Sequence, residues 1–173
     1  MLPGNAPVSR GLGFTIRAHV DSDHGGDNIT RRSRTGFIIF LSNAPIYWLS
    51  KKQTSVETSS FASEFIAMKS CCEYVRGLRC KLRMMGIPVD APTHIFGDNK
   101  SVLVNSSNPD SALKKKSTSI ACHFVREGVA KNEWIVACVS TNDNPADILT
   151  KPSLSSDKRA KFIAMILNHL TKE

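Results

Sequence analysis

Residues 14–27 read FTIRAHVDSDHGGD, and this stretch joins a strand pattern to a group of acids. Apolar residues from Phe14 to Val20 alternate with polar ones, and that period of two predicts a half-buried strand. The GGDN run that follows is typical of a turn. Asp21 falls on the polar face of the strand. Acidic residues are uncommon in strands. The stretch therefore predicts a strand that carries a candidate functional acid.

Outward from this strand, the pattern continues with two more strands and then alternates between helix and strand. The predicted elements are strands at 36–41 and 46–49 joined by a turn at Asn43–Pro45, a long helix capped by Ser59 or Ser60 and ended by Gly86 and Pro88, a strand at 93–96, helices at 101–105 and 120–129, a strand at 134–139, a helix opened by Pro145 and capped by Asn144, and an amphipathic helix after Pro152. This order predicts an α/β fold with a mixed five-stranded sheet and helices on both faces.

The length of 173 residues suits one domain with a sizeable core. We expect residues 1–13, which lack periodicity, to form a loose leader, and residues 14–173 to form the domain. The formal net charge is +8, which suits a polyanionic partner because Lys and Arg neutralise phosphates. Charge alone leaves a soluble basic protein without such a partner equally open.

Five cysteines are an odd count without a C-x-x-C pair, so the sequence supports neither a zinc knuckle nor a disulfide framework. Four of them fall in apolar segments and are expected to be buried, reduced thiols, which favours a reducing compartment: Cys71, Cys72, Cys122 and Cys138. No secretory segment follows Met1, and no apolar run approaches the ~18 residues of a membrane span.

Four acids stand on four different predicted elements. Asp21 lies on the first strand, Glu64 in the first turn of the long helix, Asp98 at a strand end and Asp147 in the first turn after Pro145. Taken singly, an acid early in a helix is typical of a cap, and Asp98 of a turn. Together they predict a site for two Mg²⁺ ions roughly 4 Å apart, because Mg²⁺ prefers carboxylate oxygens. They can meet if the two strands are neighbours.

Further motifs accompany the acids in a fixed order. They read AHVDSDHGGD at 18–27, RRSRTGF at 31–37, SKKQTSVETSSFASEFIAM at 50–68, FGDNKSV at 96–102, HFVREGV at 123–129 and NPADILTKP at 144–152. With these motifs the chain resembles, over residues 14–152, the ribonuclease H domain of Ty1/copia-type retrotransposons, the C-terminal part of a retroelement Pol polyprotein. The resemblance implies a ribonuclease H-like fold.

The resemblance also implies an activity: metal-dependent hydrolysis of the RNA strand of RNA/DNA hybrids during reverse transcription. Two Mg²⁺ ions, for which Mn²⁺ can substitute, would be held by Asp21, Glu64 and Asp98 and by Asp21 with Asp147. The implied partners are an RNA/DNA hybrid and a reverse transcriptase domain, with no membrane. The implied location is intracellular, in a cytoplasmic virus-like particle or the nucleus.

Candidate nucleic-acid contacts come from basic runs and from residues next to the acids. They are Ser22, Lys51, Lys52, Gln53, Asn99, Lys114, Lys115, Lys116 and His123. Each lysine run is equally typical of a solvated basic surface, and His123 is more typical of a structural or substrate-facing residue than of a catalytic one.

Several positions depart from the family pattern without removing a proposed metal ligand: His24, Ala62, Ser117, Ser119 and Cys122. Residues 140–144 also lack the histidine that other ribonucleases H often carry before the last helix. These departures keep a second hypothesis open, a domesticated or decayed non-catalytic domain that binds nucleic acid or a reverse transcriptase partner. A transposase or integrase of the same superfold is disfavoured, because those enzymes place their glutamate last, whereas Glu64 comes second.

Overall fold

A five-stranded mixed sheet organises the computed structural model, which describes residues 13–107 and 116–167. The elements are β1 (Ile16–Asp23), β2 (Arg34–Leu41), β3 (Ala44–Lys52), α1 (Ser60–Met84), β4 (Thr93–Gly97), α2 (Lys100–Ser107), α3 (Lys116–Ala130), β5 (Trp134–Cys138), α4 (Asp147–Thr150) and α5 (Ser156–Leu167). The strand order is β3-β2-β1-β4-β5. β1, β2 and β3 pair antiparallel, whereas β1, β4 and β5 run parallel. The predicted mixed five-stranded sheet is confirmed.

The two faces of the sheet are covered by different helices. Side chains of β1 and β2 alternate, so that Val20 and Phe37 join Phe65 and Met68 of α1 in the main hydrophobic core. α3 packs beside α1 on that side. The intervening residues of β2, such as Phe40, are also buried but face the other way, where α4 contacts β1 and β2 and α5 contacts β3. Helices therefore lie on both faces, as predicted.

The long helix α1 begins and ends as its sequence predicts. The Ser59 hydroxyl accepts a hydrogen bond from the Ala62 N–H at 3.2 Å and caps the first turn. At the other end Gly86 adopts a φ of 78°, and its N–H donates to the Arg83 carbonyl. Glycine favours this left-handed conformation because it has no Cβ. Both ends of α1 therefore match the sequence prediction.

Several local features differ from the prediction. The turn between β2 and β3 lies at Ser42–Asn43, and β3 already includes Pro45, which an edge strand tolerates because one side of it has no partner. α4 begins at Asp147, with Pro145 in a preceding turn. Cys138 is exposed at the end of β5, whereas the other three cysteines predicted to be buried are buried.

The predicted leader falls, apart from Gly13, outside the described residues. Within the described ranges, every helix is too short or too polar to cross a membrane.

Candidate active site

Three carboxylates converge at the C-terminal ends of the neighbouring strands β1 and β4. Asp21, Glu64 and Asp98 can each offer one oxygen such that the three oxygens lie within 4.8 Å of one another. The strand register explains the first pair: His19 stands opposite Phe96, and Asp21 and Asp98 each follow two residues later. Glu64 reaches the same point from α1, in its second turn rather than the predicted first. The structure thus brings together three of the four predicted acids directly.

Asp147, the fourth acid, is connected to the three-acid cluster by the ammonium group of Lys151. It is the first residue of α4 and its side chain is fully buried. Lys151 Nζ lies 2.8 Å from Asp147 Oδ1 and 4.0 Å from Asp21 Oδ1. The ammonium group therefore stands between Asp147 and the three-acid cluster, and it compensates part of their negative charge.

Burial and mutual repulsion make the cluster electrostatically costly when no cation is bound. Burial raises the pKa of Asp21 to about 6 and that of Glu64 to about 9, and the charges of Asp21 and Asp98 add to the rise at Glu64. Burial also raises the pKa of Asp147. A divalent cation would remove this penalty, because an opposite charge favours the ionised carboxylates. The donor set consists of carboxylate oxygens, which is the chemistry that Mg²⁺ and Mn²⁺ prefer.

Hydrogen bonds orient the carboxylates of Asp21 and Glu64. The Thr150 hydroxyl donates a hydrogen bond to Asp21 Oδ2. The backbone N–H of Ser22 hydrogen-bonds the Glu64 carboxylate and favours its charged form. Both contacts hold a carboxylate in one orientation, which a metal site requires of its ligands.

α4 is a single turn, and contacts with the sheet hold it in place. Asn144 Nδ2 donates to the Val20 carbonyl at 2.9 Å, while Asn144 Oδ1 accepts from the Ala146 N–H at 3.2 Å. Ser50 Oγ donates to the Leu149 carbonyl at 2.6 Å. Opposite Asp21 in the strand register stands Gly36, whose missing side chain lets α4 approach β2 closely. These contacts position Asp147, Thr150 and Lys151 against Asp21.

Sequence patterns indicated no role for Thr150 or Lys151, and they predicted Asn144 only as a helix cap, whereas the N-cap of α4 is Ala146. A signal existed for Lys151, because it follows Asp147 by four residues and such pairs share a helix face. Asn144 gave no comparable signal, because its partner Val20 is 124 residues away in the chain. Its role depends on the tertiary fold alone.

The residues predicted to contact nucleic acid fall into two groups, and the side chains of the first group are at least partly buried. Gln53 is buried, and its Nε2 donates to Thr35 Oγ1 at 3.1 Å and to the Ser63 carbonyl at 2.9 Å. The side chain of Gln53 is therefore engaged within the fold, and its contact with nucleic acid stays a prediction. Asn99 Oδ1 accepts from the N–H groups of Ser101 and Val102 and so caps α2. Ser22 is buried next to Asp21, and its hydroxyl has no hydrogen-bond partner among the described residues.

The second group remains on the surface. Lys51 is exposed at the end of β3, Lys52 pairs with Asp27 while staying partly exposed, and His123 is exposed on α3. Lys114 and Lys115 lie outside the described residues, and Lys116 begins α3 with a side chain that is likewise outside them.

Comparisons with known proteins relate this chain to transposon polyproteins. No protein-family model matches it. It is 32% identical over 145 residues to the retrovirus-related Pol polyprotein from transposon RE1 of Arabidopsis thaliana, covering 84% of this chain and 10% of that protein. The counterpart from transposon TNT 1-94 of Nicotiana tabacum is 31% identical over 136 residues, or 79% of this chain. The chain thus spans about a tenth of the length of the curated relatives that it matches.

Solved structures supply the fold. RNase H1 from the halophilic archaeon Halobacterium salinarum NRC-1 superposes with a TM-score of 0.58 at 13% identity, covering 79% of this chain and 94% of that one. LC11-RNase H1, solved in complex with an RNA/DNA hybrid, superposes with a TM-score of 0.60 at 13% identity and the same coverage. The predicted resemblance is confirmed: this chain is a ribonuclease H-like domain related to the Pol polyproteins of copia-type retrotransposons.

Proposed function

We propose that this domain is a divalent-metal-dependent ribonuclease H that hydrolyses the RNA strand of RNA/DNA hybrids. The observation that carries the proposal is the convergence of Asp21, Glu64 and Asp98, whose oxygens lie within 4.8 Å of one another at the ends of two parallel strands. Support comes from the shared fold with LC11-RNase H1, which was solved with a hybrid, and from the kinship with Pol polyproteins. The same role implies a reverse transcriptase domain as partner and an intracellular location.

Each residue of the site has a distinct task in this proposal. Asp21, Glu64 and Asp98 would hold one Mg²⁺ or Mn²⁺ ion, and Asp21 with Asp147 a second. When bound, such ions supply an activated water and stabilise the leaving oxygen. Thr150 orients Asp21 through its hydroxyl. Lys151 keeps positive charge between Asp147 and Asp21, which favours their ionised forms.

Cleavage of a labelled RNA/DNA hybrid tests this function directly. With Mg²⁺ or Mn²⁺ we expect the RNA strand to be cut, and EDTA should stop the reaction because the carboxylates then hold no ion. The same sequence as a DNA duplex is the control and should stay intact. Binding of the hybrid without cleavage in either metal would contradict the proposal and favour the non-catalytic alternative. The convergence of the acids supports catalysis over that alternative.

We also expect the stability of the metal-free protein to fall as pH rises. The pKa of Glu64 is raised from 4.5 to about 9 by burial, so the folded state holds a proton that the unfolded state releases. The contribution of this group is complete below pH 4.5 and is lost as pH rises towards 9. Asp21 has the same effect on stability, because burial raises its pKa from 3.8 to about 6. Between pH 5 and pH 8 the loss through Glu64 is at most about 1.4 kcal/mol per pH unit.

Thermal unfolding in EDTA and in Mg²⁺, at pH 5 and at pH 8, measures this effect. The increase in Tm caused by Mg²⁺ should be larger at pH 8, with each kcal/mol worth roughly 2–4 °C for a domain of this size. The Glu64→Gln variant is the control, because its side chain does not titrate, and both its pH dependence and its Mg²⁺ response should be weaker. Equal Mg²⁺ responses in the two proteins would show that Glu64 does not face the ion.

A further inference from the structure

A cavity of about 600 Å³ lies on the face of the sheet opposite α1, and we call it the β1–β4 cavity. Its sides are the start of β1, β4 with the two residues before it, the end of β5 with the loop that follows, and one residue of α5. Arg17 and His19 of β1 face this side, because Ala18 and Val20 alternate with them and join α1 in the main core. None of the four acids of the candidate active site lines the cavity. Its volume falls within the range of small-molecule sites.

Most of the wall of the β1–β4 cavity is apolar. The apolar side chains that line it are Ile16, Ala91, Pro92, Phe96, Val139 and Met165. Phe96 also contacts two imidazole rings of the lining: His19 stacks on it with ring centroids 5.0 Å apart, and His94 meets it edge-on with centroids 6.3 Å apart. Because these rings already pack against one another, a flat aromatic ligand would find its wall formed before it arrives.

Arg17 contributes a positive charge that no carboxylate neutralises. Its guanidinium carbon lies 4.8 Å from the centroid of the Phe40 ring. Among the described residues, no carboxylate lies within ion-pair distance of Arg17, and its buried Nε has no hydrogen-bond partner. An unpaired buried N–H raises the free energy of the folded state, and in a native structure it points to a bound water or ion.

The acidic residue of the lining, Asp143, does not compensate Arg17. Asp143 is paired with Lys161, whose Nζ also donates to the Asn142 carbonyl at 3.1 Å. The β1–β4 cavity therefore has an excess of positive charge beside its apolar walls, which suits a ligand with an anionic group on an apolar body.

We propose that the β1–β4 cavity binds a small planar aromatic carboxylate. The carboxylate would accept two parallel hydrogen bonds from the guanidinium of Arg17. In the strand register Arg17 stands opposite His94, and His19 opposite Phe96, so that one small molecule can reach both the guanidinium and the rings. A nucleotide suits the cavity less well, because its ribose hydroxyls and base edges would lie against apolar side chains. The inference does not depend on the proposed nuclease activity.

Binding of 2-naphthoate to the full chain tests the inference, followed by calorimetry and by amide NMR spectra. We expect saturable binding, with the largest amide shifts in β1 and β4. The Arg17→Gln variant should bind at least about 10-fold more weakly, because it loses a hydrogen bond to a charged group. Lys81→Gln removes the same charge at an exposed position of α1, on the other face of the sheet, and should bind normally. Equal affinities of these two variants for 2-naphthoate would overturn the proposal.

The uncharged analogue 2-naphthamide tests the role of the carboxylate without any substitution. It has the same ring system, so the unmodified chain should bind it about as weakly as Arg17→Gln binds 2-naphthoate. Thermal unfolding of both variants establishes that they are folded under the conditions of the titration. Equal affinities of the unmodified chain for the acid and the amide would refute the assignment, as would amide shifts centred on elements that do not line the cavity.

Discussion

The Asp98→Asn variant is expected to lose hybrid cleavage by roughly 10³-fold, since removal of one electrostatic contributor at an active site typically costs 10²–10³ in kcat. Asp98 follows β4 directly and offers one of the three clustered oxygens. Its side chain is only half-buried and accepts no hydrogen bond from the described residues, so asparagine should disturb the fold little. The loss should therefore appear in kcat, with thermal stability and hybrid binding largely kept.

Asp90→Asn is the matched control for this variant. Asp90 is an exposed residue in the loop before β4, and its replacement changes the net charge by the same amount. We expect it to cleave normally. Initial rates at saturating hybrid, measured on parallel preparations of both variants, separate the domain's activity from a contaminating host nuclease. Full activity of a clean Asp98→Asn preparation would refute the metal site.

The order of elements and the meeting of the acids could be predicted because both depend on local patterns and on few topological rules. Period-two alternation gives β1, and Ser59 with Gly86 bounds α1. Once β1 and β4 are parallel neighbours, Asp21 and Asp98 must lie side by side, because each stands two residues beyond the paired residues His19 and Phe96. Local sequence patterns, combined with the strand order, therefore predict which side chains lie at the same edge of the sheet.

Contacts that join distant segments could not be predicted in this way. Gln53 stands beside Lys51 and Lys52 and therefore resembles a surface residue, yet it turns inward and links β2 to α1 through Thr35 and Ser63. The placement of Lys151 between Asp147 and Asp21 depends on how closely α4 approaches the sheet. No local pattern encodes that distance, since it is set by packing against β2.

The Gly36→Ala variant tests this close approach and should reduce cleavage by about 10²-fold, since a 1 Å misplacement near an active site can cost that much. A Cβ at residue 36 would lie 2.5 Å from Thr150 Cγ2 and 3.0 Å from Leu149 Cβ, so α4 would have to shift. That shift moves Asp147 and Lys151 away from Asp21. Overpacking of this kind also destabilises the fold by about 1–3 kcal/mol.

Gly77→Ala is the control for the added methyl group. Gly77 lies within α1 and a Cβ there would meet nothing within 4 Å, so alanine should stabilise the helix by roughly 0.5–1 kcal/mol and leave cleavage unchanged. Cleavage rates and thermal unfolding are measured for Gly36→Ala and for Gly77→Ala. Normal cleavage by Gly36→Ala would show that the spacing between β2 and α4 does not control the site.

A second substitution distinguishes displacement of α4 from a general loss of stability. Thr150→Ser removes the Cγ2 methyl that the new Cβ would meet but keeps the hydroxyl that donates to Asp21. We therefore expect Gly36→Ala with Thr150→Ser to recover part of the lost kcat, with the remaining deficit due to Leu149 Cβ and the Ala146 carbonyl. If the double variant regains stability without regaining kcat, the position of α4 is not what limits cleavage. Recovery of both stability and kcat would mean that the absence of a side chain at Gly36 keeps Asp147 and Lys151 within reach of the three clustered acids.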